Sequence, residues 1–247
     1  MAHVTDPDEI GAAATADVAG TADAAGTAAR TSRAEQTRTA IIDTALRMFR
    51  EKGYEATTMR AIAREAGVAT GNAYYYFGSK EELIQEFYQR NQADHFTACR
   101  DVLDTQTQFA ARLRGVLRAL IDVMGPYHTL AAKFFKHAAE PTSPLSPFSK
   151  ASSPARDAAI GIYREVIDGS AGRIDPDLRP RLPELLWLYS MGIVLFWVHD
   201  TSPGCAKTYR LIDSTVPLAD RLISLSRLRA LRPVSRQVIA IVDDMRS

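Results

Sequence analysis

The stretch TTMRAIAREAGVATGNAYYYFGSKEEL, residues 57–83, decides the fold. Its apolar positions recur with a helical period and are interrupted once, at Gly67. A tight corner between two helices makes fixed demands. It needs a small residue where the helices touch, which Ala63 supplies, and a left-handed residue at the turn, which Gly67 supplies four positions later. It also needs an apolar filling, and Ile62, Ala66, Val68, Ala73 and Tyr76 fall at the right places. An ordinary helical hairpin is the plain alternative; the basic balance and polar outer face of this stretch favour helix–turn–helix.

The three consecutive tyrosines cannot share one face, because helical residues advance by 100° each. Ala73, Tyr76, Phe77 and Lys80 fall towards one side, and Gly71, Tyr74, Tyr75 and Gly78 fall elsewhere. Phe77 is therefore the core aromatic, Tyr76 packs in part, and Tyr74 and Tyr75 point outwards. Two large exposed aromatics on a short helix need a partner. A phenol hydroxyl can donate to phosphate, and its ring can pack on a sugar or a thymine methyl. Gly71 leaves room for close backbone approach. Thr70 and Asn72 occupy the helix start, where recognition helices offer side chains to bases or phosphates. Ser79 and Glu82 form a capping box that opens the next helix and places Lys80 at its N-terminus, a phosphate-attracting position.

Working outward, the pattern stays helical and no alternating strand is found. An apolar face of Ile41, Ile42, Ala45, Leu46, Met48 and Phe49 predicts a helix from about Ala34 that ends at Gly53. Thr57 or Thr58 caps the next helix, a short helix covers 70–76, and a long one runs from Ser79 to about Leu103. Further helices are predicted near 107–124, 127–139, 154–169, 181–200 and 206–229, with a last one over 234–245. Pro217 should kink the 206–229 helix or restart it after Ser214 or Thr215. The Pro/Ser-rich 141–154 segment reads as a mobile loop. Residues 1–32 are Ala/Thr-rich, acidic and nearly free of large apolar side chains, so they read as a disordered tail. The fold class is thus all-α: the tail (1–32), a three-helix DNA-binding domain (33–82) and a larger helical domain (83–247).

The formal net charge of +1 hides an asymmetry. Residues 1–29 carry five acidic side chains and no Lys or Arg, so the remainder carries +6. Between Arg30 and Lys80 nine basic side chains face five acidic ones. Two widely separated cysteines, Cys99 and Cys205, provide neither a disulfide framework nor a metal site, and His128, His137 and His199 have no metal-ligand spacing. The most apolar run, 185–198, has 14 residues, too few to span a bilayer. A soluble, cytoplasmic protein without membrane partner, metal or cofactor is expected. No nucleophile–base motif, phosphate loop or carboxylate pair points to an enzyme. A non-specific nucleoid protein is disfavoured by the modest charge.

Residues 57–83, with ALRMFREKGYEATT (45–58) before them, resemble the DNA-binding segment of TetR-family transcriptional regulators. The resemblance implies a homodimer in which a three-helix domain binds a double-stranded DNA operator and a larger domain binds an inducer. It implies DNA contacts from Thr58, Arg60, Thr70, Gly71, Asn72, Tyr74, Tyr75, Tyr76 and Lys80. The position before Gly71 is often basic in the family and is Thr70 here; the middle aromatic is often His and is Tyr75 here. The family's dimer helices correspond to 181–200 and 206–229, and the all-round apolar character of 185–198 suits burial on every side. The family's pocket-forming helices carry Phe96, Met124, Phe134, Phe135, His137, Tyr163, Trp187 and Met191, although plain core packing is the favoured reading for each of them taken alone. The expected function is a repressor released from a palindromic operator by an unknown hydrophobic or amphipathic small molecule. The alternative is an activator, or a regulator without an effector.

Overall fold

The computed structural model describes residues 14–172 and 174–226, and the helix expected over 234–245 lies outside them. Among the described residues there are nine α-helices and no strand. They are α1 (Ala14–Lys52), α2 (Met59–Glu65), α3 (Thr70–Tyr76), α4 (Lys80–Thr105), α5 (Phe109–Met124), α6 (His128–Ala139), α7 (Ser153–Asp168), α8 (Leu182–Val198) and α9 (Ala206–Leu225).

Two helices differ in extent from the reading of the sequence. α1 spans Ala14–Lys52, longer than the helix expected from about Ala34. Alanine is the strongest helix former, and this part of the chain is rich in it; residues 1–13 lie outside the described residues. Of the two outcomes expected at Pro217, the restart does not occur, since α9 is one helix from Ala206 to Leu225 with Pro217 inside it. Thr215 Oγ1 donates to the Leu211 carbonyl one turn back, a bond made within the same stretch of helix.

The corner forms as its sequence demands. Thr58 Oγ1 accepts from the Ala61 amide and caps α2. Gly67 turns the chain with φ +70°, a conformation costly for any residue with a Cβ. Ala63 and Ala73 are fully buried where α2 meets α3. At the start of α4, Ser79 Oγ accepts from the Glu82 amide. The returning bond goes one residue further than expected, since the Glu82 carboxylate takes the Gly78 amide rather than that of Ser79.

Two cores share α4. The first joins Ile41, Phe49, Ile62, Phe77, Leu83 and Ile84 with Leu130 and Phe134 of α6 and Leu145 of the following loop. The second joins α4, α5, α7, α8 and α9 around Leu113, Leu117, Ile162, Tyr163, Trp197 and Ile212. The division at 82/83 therefore falls inside α4, and α6 completes the core of the N-terminal helices. The 141–154 segment, expected to be mobile, is a string of turns pinned by α4 and α7. Gln85 donates to the Pro144 carbonyl, Tyr88 to that of Leu145, and Arg156 to those of Pro147 and Ser149.

Arg112 is buried and donates to the carbonyls of Leu103, Gln106, Glu165 and Val166. One guanidinium thus joins the C-terminal ends of α4 and α7, adding to the bonds that the Glu165 and Val166 carbonyls accept from the Gly169 amide and Ser170 Oγ. Gly169 is required beside it, because a Cβ there would lie 2.2 Å from Arg112 Nη2.

Candidate nucleic-acid interface and effector cavity

α3 projects from the corner with its outer face uncovered. Tyr75 is 84% exposed and Tyr74 51% exposed, while Phe77 is 2% exposed. Tyr76 is half-buried against the N-terminal core and braces Tyr75 edge-on, with ring centroids 5.4 Å apart. The inward and outward assignments made from helical angles therefore match the packing. Thr58, Arg60, Thr70, Gly71 and Asn72 are exposed beside the tyrosines. A Cβ added at Gly71 would meet nothing within 4 Å, so nothing inside the protein asks for glycine there.

Lys80 is placed differently from the other eight candidates. Its Nζ donates to the Tyr54 carbonyl at 2.8 Å and lies 4.2 Å from the centroid of the Tyr54 ring. The ammonium thus ties α4 to the loop after α1, which the position at a helix start did not reveal.

Tyr54 is the residue that sequence reasoning missed. Its hydroxyl donates to Glu81 Oε1 at 2.7 Å. Its ring meets Phe49 of α1, and Phe134 and His137 of α6, at 5.2–5.4 Å. Burial first, and the Glu81 carboxylate second, push its phenol well above the usual range, so it stays a donor. Lys133 of α6 adds a bond to the Arg50 carbonyl at the end of α1. The only signal in the sequence was an aromatic one residue after Gly53.

On the other side of α6 lies a cavity of about 470 Å³, within the range that takes small ligands. Of the predicted residues, Met124, Phe134, Phe135, Trp187 and Met191 line it. Three do not. Phe96 is exposed, under the Arg100 guanidinium in an outer groove between α4 and α7. His137 faces Tyr54 and Glu55 instead. Tyr163 is wholly buried in the second core. All three are on the expected helices but on other faces, a difference that the period alone does not resolve. Ile84, Leu130 and Phe134 belong both to the cavity wall and to the N-terminal core.

Among the described residues no cluster of side chains could hold a metal ion, and no helix is long and apolar enough to cross a membrane. His95 is buried, with Nε2 2.9 Å from the Val116 carbonyl, and burial lowers its pKa. Cys99 is a buried thiol pushed up to about 12 by burial.

The structure thus joins a helix–turn–helix, whose aromatic second helix is uncovered, through shared side chains to a helical domain with a cavity. Residues 41–87 match the family of bacterial regulatory proteins, tetR family, and residues 112–238 match the tetracyclin repressor-like C-terminal domain. The chain belongs to the TetR family. It is 34% identical over 91 residues to the HTH-type transcriptional repressor KstR2 of Mycobacterium tuberculosis, covering 37% of this chain and 46% of the relative. It is 40% identical over 74 residues to the HTH-type transcriptional regulator HbdR of Aromatoleum sp., covering 30% and 28%. The chain thus spans half or less of these curated relatives, which are named as regulators and not as enzymes. Two solved structures share the fold. A TetR transcriptional regulator from Nitrosomonas europaea has a TM-score of 0.57 at 19% identity, covering 74% of this chain and 96% of the other. The regulator FadR from Bacillus subtilis, solved with stearoyl-CoA, has a TM-score of 0.57 at 17% identity, covering 72% and 96%.

Proposed function

We propose that the protein is a dimeric, sequence-specific DNA-binding repressor released from its operator by a small, mainly apolar effector. The observation that carries this reading is the outer face of α3. Tyr74 and Tyr75 are uncovered beside Gly71 and Asn72 on a helix whose inner face is locked by Ala73 and Phe77. Side chains this large and this exposed, braced rather than loose, suit a rigid surface that meets a duplex. In this reading Thr58, Arg60, Thr70, Gly71, Asn72, Tyr74, Tyr75 and Tyr76 contact the DNA. Lys80 supports them from behind, through Tyr54, and adds its charge to the phosphate field.

Repression is the sense favoured by the naming of the KstR2 relatives as repressors. Dimerisation is supported by exposed apolar side chains on the last two described helices: Leu195 and Phe196 of α8 and Leu218, Leu222 and Leu225 of α9. Such a face is uncommon on a monomer, and a two-fold axis through it would set two recognition helices on a pseudo-palindrome. The cavity supports an effector, and the stearoyl-CoA seen in the Bacillus subtilis FadR is an example of a mainly apolar tenant in this fold. Because Ile84, Leu130 and Phe134 serve both the cavity and the N-terminal core, a ligand that alters their packing biases the reading heads.

The test is a DNA-binding titration with the promoter fragment flanking the gene. Affinity should exceed that for random DNA by ~10³ or more at the same salt concentration. Equal affinity for both would sink sequence specificity.

A further inference from the structure

The cavity is walled mainly by apolar side chains, such as Leu120, Leu130, Phe135 and Val194. One lining residue carries a charge: Arg156, near the start of α7. No acidic side chain lines the cavity with it. The hydrogen bonds of its guanidinium within the protein run from Nη1 to the Pro147 and Ser149 carbonyls, each at 3.0 Å. They hold the group beside Pro147 and Phe148, which also line the cavity. Nε and Nη2 are left without a partner among the described residues. Those two nitrogens form the edge of a guanidinium that takes a carboxylate through two parallel bonds.

α4 brings further donors to the same level. Asn91 and Gln92 line the cavity, but their carboxamide oxygens are enclosed and do not face it. Their amino ends, Asn91 Nδ2 and Gln92 Nε2, are neither enclosed nor bonded within the protein, so these side chains have donors left to offer. Gln85 bonds Ser152 and, further on, Arg100 bonds Glu165, so α4 and α7 run side by side in the same direction. Asn91 and Gln92 therefore stand within about one turn of Arg156 along the pair.

From this cation and its neighbouring donors we infer that the effector is an amphipathic acid. Its carboxylate takes the Nε–Nη2 edge of Arg156, near the amino groups of Asn91 and Gln92, and its apolar body fills the space towards α6 and α8. The inference rests on the reading of the cavity as the effector site. Access agrees with it. Gln92 and Ala155, the neighbour of Arg156, line both the cavity and the outer groove between α4 and α7, so the charged head lies at an opening. Arg156 is half-buried there, which spares the ion pair the full loss of hydration that a deep position would impose.

The experiment is a calorimetric titration of the full chain with decanoate, methyl nonanoate and decylammonium. The acid and the ester have the same number of heavy atoms, and only the acid is charged. Decanoate should bind about tenfold or more tightly than the ester, and decylammonium most weakly. Arg156→Gln keeps a donor for the turn carbonyls but no charge. It should abolish the preference for the acid and leave ester binding within about threefold, which separates loss of the anion site from loss of the fold. Asn91→Leu/Gln92→Leu leaves the 141–154 turns untouched and should weaken decanoate about fivefold. Equal binding of acid and ester, tighter binding of decylammonium, a preference that survives Arg156→Gln, or decanoate affinity unaltered in the double variant overturns the anion site and leaves the cavity an effector site. Decanoate that binds as expected but does not release the promoter fragment overturns the effector reading and leaves the anion site. Failure of all three probes to bind overturns both.

Discussion

Phe134 stands edge-on to Tyr54, with ring centroids 5.4 Å apart, and also lines the cavity wall. One side chain of α6 is therefore within reach of an effector and in contact with the residue that ties α1 and α4 together. Phe134→Leu keeps an apolar side chain but removes the ring contact. The variant should bind operator DNA within about threefold of the original, at a cost in stability of ~1.5 kcal/mol or less. Its release by effector should be weakened. Operator titrations with and without effector check this, and unchanged release would show that the coupling runs elsewhere.

Gly71 offers a clean separation of folding from binding. Its helical position has open space around it, so Gly71→Ala should stabilise the free protein by up to ~1 kcal/mol through helix propensity. Operator affinity should nevertheless fall, because the methyl group stands where the duplex backbone approaches. Thermal melts and operator binding are the two measurements; unimpaired affinity would remove Gly71 from the interface.

Tyr75 and Phe77 should part company in the same way. Tyr75→Ala should weaken operator binding with Tm nearly unchanged, since the ring is exposed. Phe77→Ala should cost ~3–5 kcal/mol of folding stability, since its ring fills the first core.

His95 gives a pH dependence with a definite sign. Its folded pKa lies below that of an unfolded histidine, because burial penalises the imidazolium. The unfolded chain therefore takes up the proton first as pH falls below ~6.5, and stability declines from there downwards until the folded pKa is reached. His95→Gln can keep a donor to the Val116 carbonyl without titrating. Melting curves between pH 7 and 5 should be flatter for the variant than for the original.

The exposed leucines of α9 predict the assembly. Light scattering should give a mass near twice 27.1 kDa. Leu222→Glu should shift it towards the monomer and abolish tight binding to a two-half-site operator, while a single monomer keeps its helical signal. A monomeric original protein would remove the palindrome.

The corner was legible in the sequence because its requirements are local. Ala63, Gly67, Ala73 and Phe77 are fixed by helix geometry and by one left-handed turn, and all are where the spacing put them. The cavity was legible only as a set of helices. Phe96, His137 and Tyr163 are on those helices yet face an outer groove, Tyr54 and the second core, because rotation of a long helix is decided by partners far away in the chain. The same holds for Tyr54 and Arg112, whose partners are up to 83 and 54 residues distant in sequence number. The 141–154 turns looked loose for the converse reason. Their composition is that of a loop, and what fixes them comes from Gln85, Tyr88 and Arg156 on other elements.

Arg112 and Gln85 fasten α4 to α7 at both ends. Arg112 gathers the C-terminal carbonyls of the pair, and Gln85, near the start of α4, exchanges hydrogen bonds with Ser152, the residue that precedes α7. The two helices are thus held as a ladder's rails are held by its rungs, and a push on either one is passed to the other. The lower end of that ladder carries Leu83 and Ile84, and with them the floor on which the reading head rests.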